Sequence, residues 1–138
     1  MRSILAIIPL LALAGCASIP SDEVRPVPGK RLLAYQESAT GSSQLTVERD
    51  SGFLGAGCYV SFSIDRQVAA RIAVSEEASF NVPPGTHVVG IGIDEQGEGL
   101  CSKGYLKREL AVTVAAGETG RFRILSDNRI GFDIRHLD

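Results

Sequence analysis

Cysteine and histidine are the residue types best equipped for chemistry, and this chain of 138 residues holds three of the first and two of the second. The cysteines are Cys16, Cys58 and Cys101, and the histidines are His87 and His136. A thiol can attack as thiolate, bind metal or pair with another thiol, and its surroundings select among these. His136 lies close to the C-terminus and reads as a surface residue. His87 follows Val82-Pro83-Pro84-Gly85-Thr86 and shares a face with Val89, so a ring packed or hydrogen-bonded near that turn accounts for it. No G-x-S-x-G, H-E-x-x-H or P-loop pattern occurs. Ser42, Ser43, Ser61 and Ser63 have no identifiable base partner. Gly52, Gly55 and Gly57 are spaced G-x-x-G-x-G, which is not the dinucleotide order, and they read as tight turning. Asp94, Glu95 and Glu98 form an acidic loop whose spacing does not match a calcium loop, so it reads as solvated. The expectation is a protein without catalytic residues, cofactor or bound metal.

Cys16 has the most informative neighbours. Arg2 supplies a positive start, and Ile4 to Leu13 supply a short apolar core. That core is shorter than the roughly 20 residues a membrane helix needs, and Pro9 interrupts it. The pattern is that of a secretory signal ending in small residues. Leu13-Ala14-Gly15-Cys16 resembles the bacterial lipobox, in which cleavage precedes the cysteine and the thiol carries diacylglycerol, so Cys16 is the expected lipidation site. By the same resemblance, Ala17 rather than Asp after the cysteine implies sorting to the outer membrane, facing the periplasm. Two or three acyl chains tether firmly where one holds marginally. The membrane is thus an expected partner through the anchor.

Removal of residues 1–15 takes away Arg2 and no acid, so the 14 basic residues become 13 against 16 acidic ones, a net charge of −3. Nucleic-acid binding requires clustered Lys and Arg, and the composition argues against it. The secreted context leaves Cys58 and Cys101 as an even pair of thiols in an oxidising compartment, which reads as a disulfide. Such a bridge would pin the long connection around Cys101 to the strand opened by Cys58.

Three regions result: the signal peptide at 1–15, the lipidated cysteine with a flexible tether at 16–43, and a β domain at 44–138. The tether reading rests on Pro20, Pro26, Pro28 and Gly29 and on the polar run ESATGSSQ. Within it, RLLAYQ at 31–36 is compatible with a first edge strand or with a patch docked on the domain. From Gln44 onward the chain alternates. Cys58, Val60, Phe62 and Ile64 point one way, and Tyr59, Ser61 and Ser63 the other. Val68, Ala70, Ile72 and Val74 repeat the pattern, with a helix across VAARIAVSEEA as the weaker alternative. A short SFNV strand ends at Pro83-Pro84-Gly85, and Val89, Ile91 and Ile93 resume. Leu110, Val112 and Val114, then Phe122 and Ile124, then Ile130, Phe132 and Ile134 complete the set. The fold expected is all-β, a small antiparallel sandwich or open barrel of about seven strands.

The order VERDSGFLGAGC, a hairpin with Asp65, an acidic-polar turn at Ser75-Glu76-Glu77 and FNVPPGTHVV resembles small bacterial lipoproteins of unknown function with a β-sandwich domain. It is similar to the domain of unknown function numbered 2846 and to PEGA-type surface modules. The match runs from Val47 to Ile93, with Arg66 where those families usually place glycine in the first hairpin. The resemblance implies a binding or scaffold module with no catalytic residues to carry over. The functional expectation is a structural or interaction lipoprotein with an envelope protein as partner. Tyr59, Tyr105 and Lys103 are its expected contacts, since aromatic residues commonly anchor interfaces. A second reading is an inhibitor or immunity-type lipoprotein that presents the loop 94–108 to a lytic enzyme. A third is an enzyme or small-ligand carrier with a pocket at His87.

Overall fold

Alternating apolar residues make one face of a strand buriable, and two such sheets can bury those faces against each other. The computed structural model describes residues 23–52, 57–127, 129 and 131–138. The expected signal peptide, Cys16, Gly55 and Ile130 lie outside the described residues. The strands are β1 (Arg25–Pro26), β2 (Ser43–Arg49), β3 (Val60–Ile64), β4 (Gln67–Ile72), β5 (Glu76–Val82), β6 (Gly85–Ile93), β7 (Lys107–Val114), β8 (Thr119–Asp127) and β9 (Gly131–Leu137). Nine strands are described where about seven were expected, and β1 comes from the stretch assigned to the tether.

They form one sheet in the order β1-β5-β2-β8-β9 and a second in the order β4-β3-β6-β7. The architecture is a two-sheet sandwich. Most neighbours are antiparallel, but β1 runs parallel to β5 and β2 runs parallel to β8. Short connections predicted antiparallel pairing throughout. β2 and β8 escape that constraint because the chain between them crosses to the other sheet and back. Leu45, Val47, Phe80, Phe122 and Ile124 face Phe62, Ile64, Ile72 and Val89 across the core. The Phe62 and Phe80 rings stack between the sheets at 5.3 Å.

Two departures from simple alternation matter for the surface. Phe62 pairs with Ala70 and Ser63 with Val68, so Ala69 is an extra residue in β4. This bulge sends Ala69 into the core and turns Val68, expected inward, out to 42% exposure. Val74, expected to continue the inward series, lies beyond the end of β4. β5 begins at Glu76 rather than at Ser79, so most of the expected acidic turn is strand. The alternation Val82, Phe80, Ala78 runs back to Glu76, which is buried.

Glu76 is buried because the expected tether supplies its partner. Residues 25–36 are not loose but strap the sandwich where β4 and β5 lie close. Val27 is buried, and its N–H donates to the Glu77 carbonyl. Arg31 donates to both carboxylate oxygens of Glu76, at 2.6 and 2.7 Å. Leu32 bridges to Ala70, the Leu33 N–H donates to the Ala69 carbonyl, and the Asn81 N–H donates to the Tyr35 carbonyl. Residues 31–36 are therefore a docked patch with a single strand-like bridge, and β4 is partly covered along its edge. The prolines that signalled a tether fit this course, since an extended strap needs few N–H donors.

Removing one partner of a buried ion pair strands the other, at a cost of about 3–5 kcal/mol. Arg31→Ala is expected to lose stability of that order in urea unfolding. Trypsin cleavage after the exposed Lys30 should accelerate under native conditions, because the strap loses its main clasp.

Candidate functional site

Three constellations stand outside the apolar core. The first sits at the β3–β4 hairpin. Asp65 and Arg66 both have positive φ, 50° and 66°, as a two-residue hairpin with matching twist requires. Arg66 bears this conformation without being glycine, at a cost of about 1 kcal/mol. Asp65 has a reason to stay, since its carboxylate accepts the Val88 N–H at 2.9 Å and meets His87 Nδ1 at 2.7 Å. His87 Nε2 lies 2.6 Å from the Pro83 carbonyl oxygen. Both ring nitrogens thus face oxygen acceptors, an arrangement that favours the protonated ring. Burial opposes that charge, but the hydrogen bonds to Asp65 and Pro83 and the Asp65 charge outweigh it, and the His87 pKa is raised above 6.5. Burial likewise pushes Asp65 up, yet His87 and the Val88 N–H bring its carboxyl below the ordinary value. Both ring nitrogens are thus engaged by partners within the protein.

The second constellation surrounds Tyr59. The guanidinium carbons of Arg31 and Arg71 lie 4.3 and 4.9 Å from the centre of its ring. Arg31 holds Glu76, and Arg71 donates to both oxygens of Asp94 at 2.8 Å. Arg31 also donates to the Arg71 carbonyl at 2.9 Å. The hydrogen bond to each carboxylate raises both arginine pKa values. For Glu76, burial acts upward, but Arg31 and the Ala73 N–H outweigh it and the pKa falls below 4.5. Tyr59, expected to project outward as a contact residue, is half-buried under these cations instead. Asp94, expected in a solvated loop, is buried at the loop's root.

The third constellation is the loop 94–106 between β6 and β7. Its root is the Asp94–Arg71 pair, and Cys101 is joined to Cys58, with Cα atoms 5.3 Å apart. A 3-10 turn at Gly99–Ser102 carries Leu100, 88% exposed, and the loop ends beside Tyr105, 92% exposed. Lys103 is exposed between them. The structure therefore places Lys103 and Tyr105 exposed on one braced loop, while Tyr59 is half-buried under the two arginines. His136 is exposed on β9, its ring tilted against Phe122 at 5.2 Å. Among the described residues, no group of three or more His, Cys, Asp or Glu is placed to hold a metal ion.

One feature escaped sequence reasoning. The outer face of the second sheet carries a groove of about 600 Å³. Two cross-strand rows make it: Val68–Ser63–Gly90–Glu109 and Arg71–Ser61–Gly92–Lys107. The floor consists of serine and glycine, and the pocket expected at His87 is not this one, since His87 does not line it. The signal in the sequence was S-x-S in one strand and G-x-G in another, both on the solvent face.

No family model matches this chain, and no curated protein matches it.

Two outcomes follow from the geometry. His87 has a folded pKa raised above its unfolded value, so its contribution is fully present below about pH 6.5 and is lost as pH rises through the folded pKa. Unfolding free energy measured between about pH 6 and 9 should therefore fall with rising pH, and His87→Gln should flatten that slope. Replacing Cys58 and Cys101 with serine should cost about 2–4 kcal/mol by loop-closure entropy and speed amide exchange in residues 94–106.

Proposed function

We propose that this chain is a non-catalytic outer-membrane lipoprotein, held on the periplasmic face by Cys16, whose β-sandwich is a structural or protein-interaction module of the bacterial envelope. The observation that carries the interaction reading is the braced loop. Leu100 and Tyr105 are large, apolar and almost wholly exposed, on a segment held by a disulfide and a buried ion pair. Exposed apolar residues on a mobile tip would signify little. On a loop held this firmly they are preorganised, and preorganisation lowers the entropic cost of binding. The contact surface proposed is thus Leu100, Lys103 and Tyr105, without Tyr59.

The anchor reading is supported by Ile4 to Leu13 followed by Leu13-Ala14-Gly15-Cys16. The Cys58–Cys101 bridge fits a secreted, oxidising setting. The resemblance to small lipoproteins with β-sandwich heads points the same way. The same braced loop also favours one second reading, an inhibitor that inserts the loop into the cleft of a periplasmic lytic enzyme. Rigid protruding loops suit clefts because little ordering remains to be done on binding.

Metabolic labelling with a fatty acid tests the anchor: label and membrane sedimentation should both vanish in Cys16→Ala, and a labelled C16A chain would overturn it. Photo-crosslinking from positions 100 and 105 in living cells tests the contact. Both positions should capture the same protein, and capture should weaken when the other position is Ala. An envelope component lost with C16A supports the module, whereas a soluble lytic enzyme captured without the anchor supports the inhibitor.

A further inference from the structure

The groove on the outer face of the second sheet shares Tyr105 with the long loop but not Leu100, and it calls for its own explanation. Solvent faces of antiparallel strands normally carry larger polar or β-branched residues, which pack across the pleat. Here the two central strands present Ser61, Ser63, Gly90 and Gly92, while the outer strands rise beside them.

The two glycines differ in what they permit. A Cβ on Gly90 would come within 3.0 Å of Ser63 Oγ and 3.2 Å of the Arg108 carbonyl, so crowding explains that residue. A Cβ on Gly92 would meet only the Leu106 carbonyl oxygen, at an ordinary 3.5 Å, and Gly92 is not among the positive-φ residues. The fold leaves room for a side chain at 92. Glycine inside a strand costs about 0.5–1 kcal/mol relative to alanine, and it often marks close approach of a ligand. Neither turn geometry nor packing accounts for Gly92, whereas clearance for an occupant of the groove would.

The walls indicate its chemistry. Arg66, Arg71 and Lys107 stand against Asp94, Glu95 and Glu109, three cations against three anions. Arg71 is bound to Asp94 at 2.8 Å, while the exposed Arg66 and Lys107 share Glu109 at 3.5 and 3.4 Å. The three cations and three anions balance, so the lining presents no net charge and suits an uncharged occupant. Two apolar surfaces complete the site, Val68 turned outward by the β4 bulge and the Tyr105 ring. Serine hydroxyls and the outer edges of the paired carboxylates and guanidiniums supply hydrogen bonds.

An extended peptide is poorly served here, because it binds sheets by adding to an edge, and the floor backbone is already spent in the β3–β6 ladder. A sugar ring needs what the groove has: side-chain donors and acceptors for its hydroxyls, and flat apolar surface for its C–H face. The volume lies in the range of about 300–1,000 Å³ typical of small-ligand sites. We propose that this groove binds a neutral saccharide, with Tyr105 packing on the ring face, Ser61 and Ser63 meeting hydroxyls, and Gly92 providing the clearance.

This goes beyond the envelope-module reading and is separable from it, because Leu100 does not line the groove. The experiment is calorimetric titration of the full-length chain in a zwitterionic detergent, to about 10 mM ligand. The probes are triacetylchitotriose, maltotriose and an uncharged Gly-Ser pentapeptide. At least one trisaccharide should bind. Gly92→Val should weaken that binding about tenfold or more while its melting temperature holds or rises, since a β-branched residue replaces glycine in a strand. Tyr105→Ala should weaken it as well, and Leu100→Ala should leave it unchanged. Should G92V prove unstable, Ser61→Val fills the same floor and carries the same expectation. Absence of saccharide binding, binding unchanged in a folded G92V, or binding of the peptide alone would each overturn the proposal. Loss of Leu100-dependent crosslinks with retained sugar binding would overturn only the interaction reading.

Discussion

Much of this molecule outside its apolar core depends on the cationic cluster over the Tyr59 ring. Arg31 brings the strap, Arg71 brings β4, Glu76 brings β5 and Asp94 brings the root of the long loop. Tyr59 itself lies next to Cys58, whose disulfide holds the same loop farther along. Each guanidinium over an aromatic face contributes about 0.5–2 kcal/mol, and more as water is excluded. The larger effect is mutual dependence. Two like charges can share one ring only because each has a carboxylate in two-point contact, so removing any member leaves a buried charge exposed to its twin. The group behaves as a unit that locks three irregular segments to the sandwich.

β3 has such a polar clamp at both ends. Tyr59 precedes it, and Asp65 follows it with the His87 ring. Between them the strand is plain alternation, with Phe62 stacked on Phe80. The same end of the sandwich that holds Arg31 also buries Arg49, which donates to the carbonyls of Cys58 and Ile72 at 2.8 Å. Burial lowers the Arg49 pKa to about 10, so it remains a cation at neutral pH. The carbonyl of Cys58, just before β3, and that of Ile72, the last residue of β4, thereby share one buried donor. Apolar packing sets the sheets face to face, and buried cations set where the chain enters and leaves them.

What could be read from the sequence follows from that division. Phe62, Ile64, Val89, Ile91 and Phe122 announce themselves by period two, and the sandwich was legible from them. The Cys58–Cys101 pairing was legible because only two thiols remain beyond Cys16. Arg49 and Glu76 were not recognised as interior, although each continues an inward series, Leu45-Val47-Arg49 and Val82-Phe80-Ala78-Glu76. Polarity was allowed to end the strand where alternation did not. Of the strap, a docked patch at 31–36 was one of two readings open from the sequence, but its clasp was not legible because the partners of Arg31 lie at separations of 40 and 45 residues. The bulge at Ala69 leaves no local mark, so Val68 was placed on the wrong face. Of the expected contact residues, Tyr59 alternates outward as read, but cations from distant segments cover it.

The groove and the loop illustrate opposite uses of stability. The loop 94–106 is long, and an unbraced loop of that kind would lose much of its binding energy to ordering; the disulfide and the Asp94–Arg71 pair provide that ordering in the free protein. The groove instead gives stability up. Serine and glycine on the solvent face forgo the cross-strand packing that threonine or valine would supply. Gly92 does so where the backbone would accept a side chain. Stability is thus withheld from an open sheet face and placed in a loop outside the apolar core.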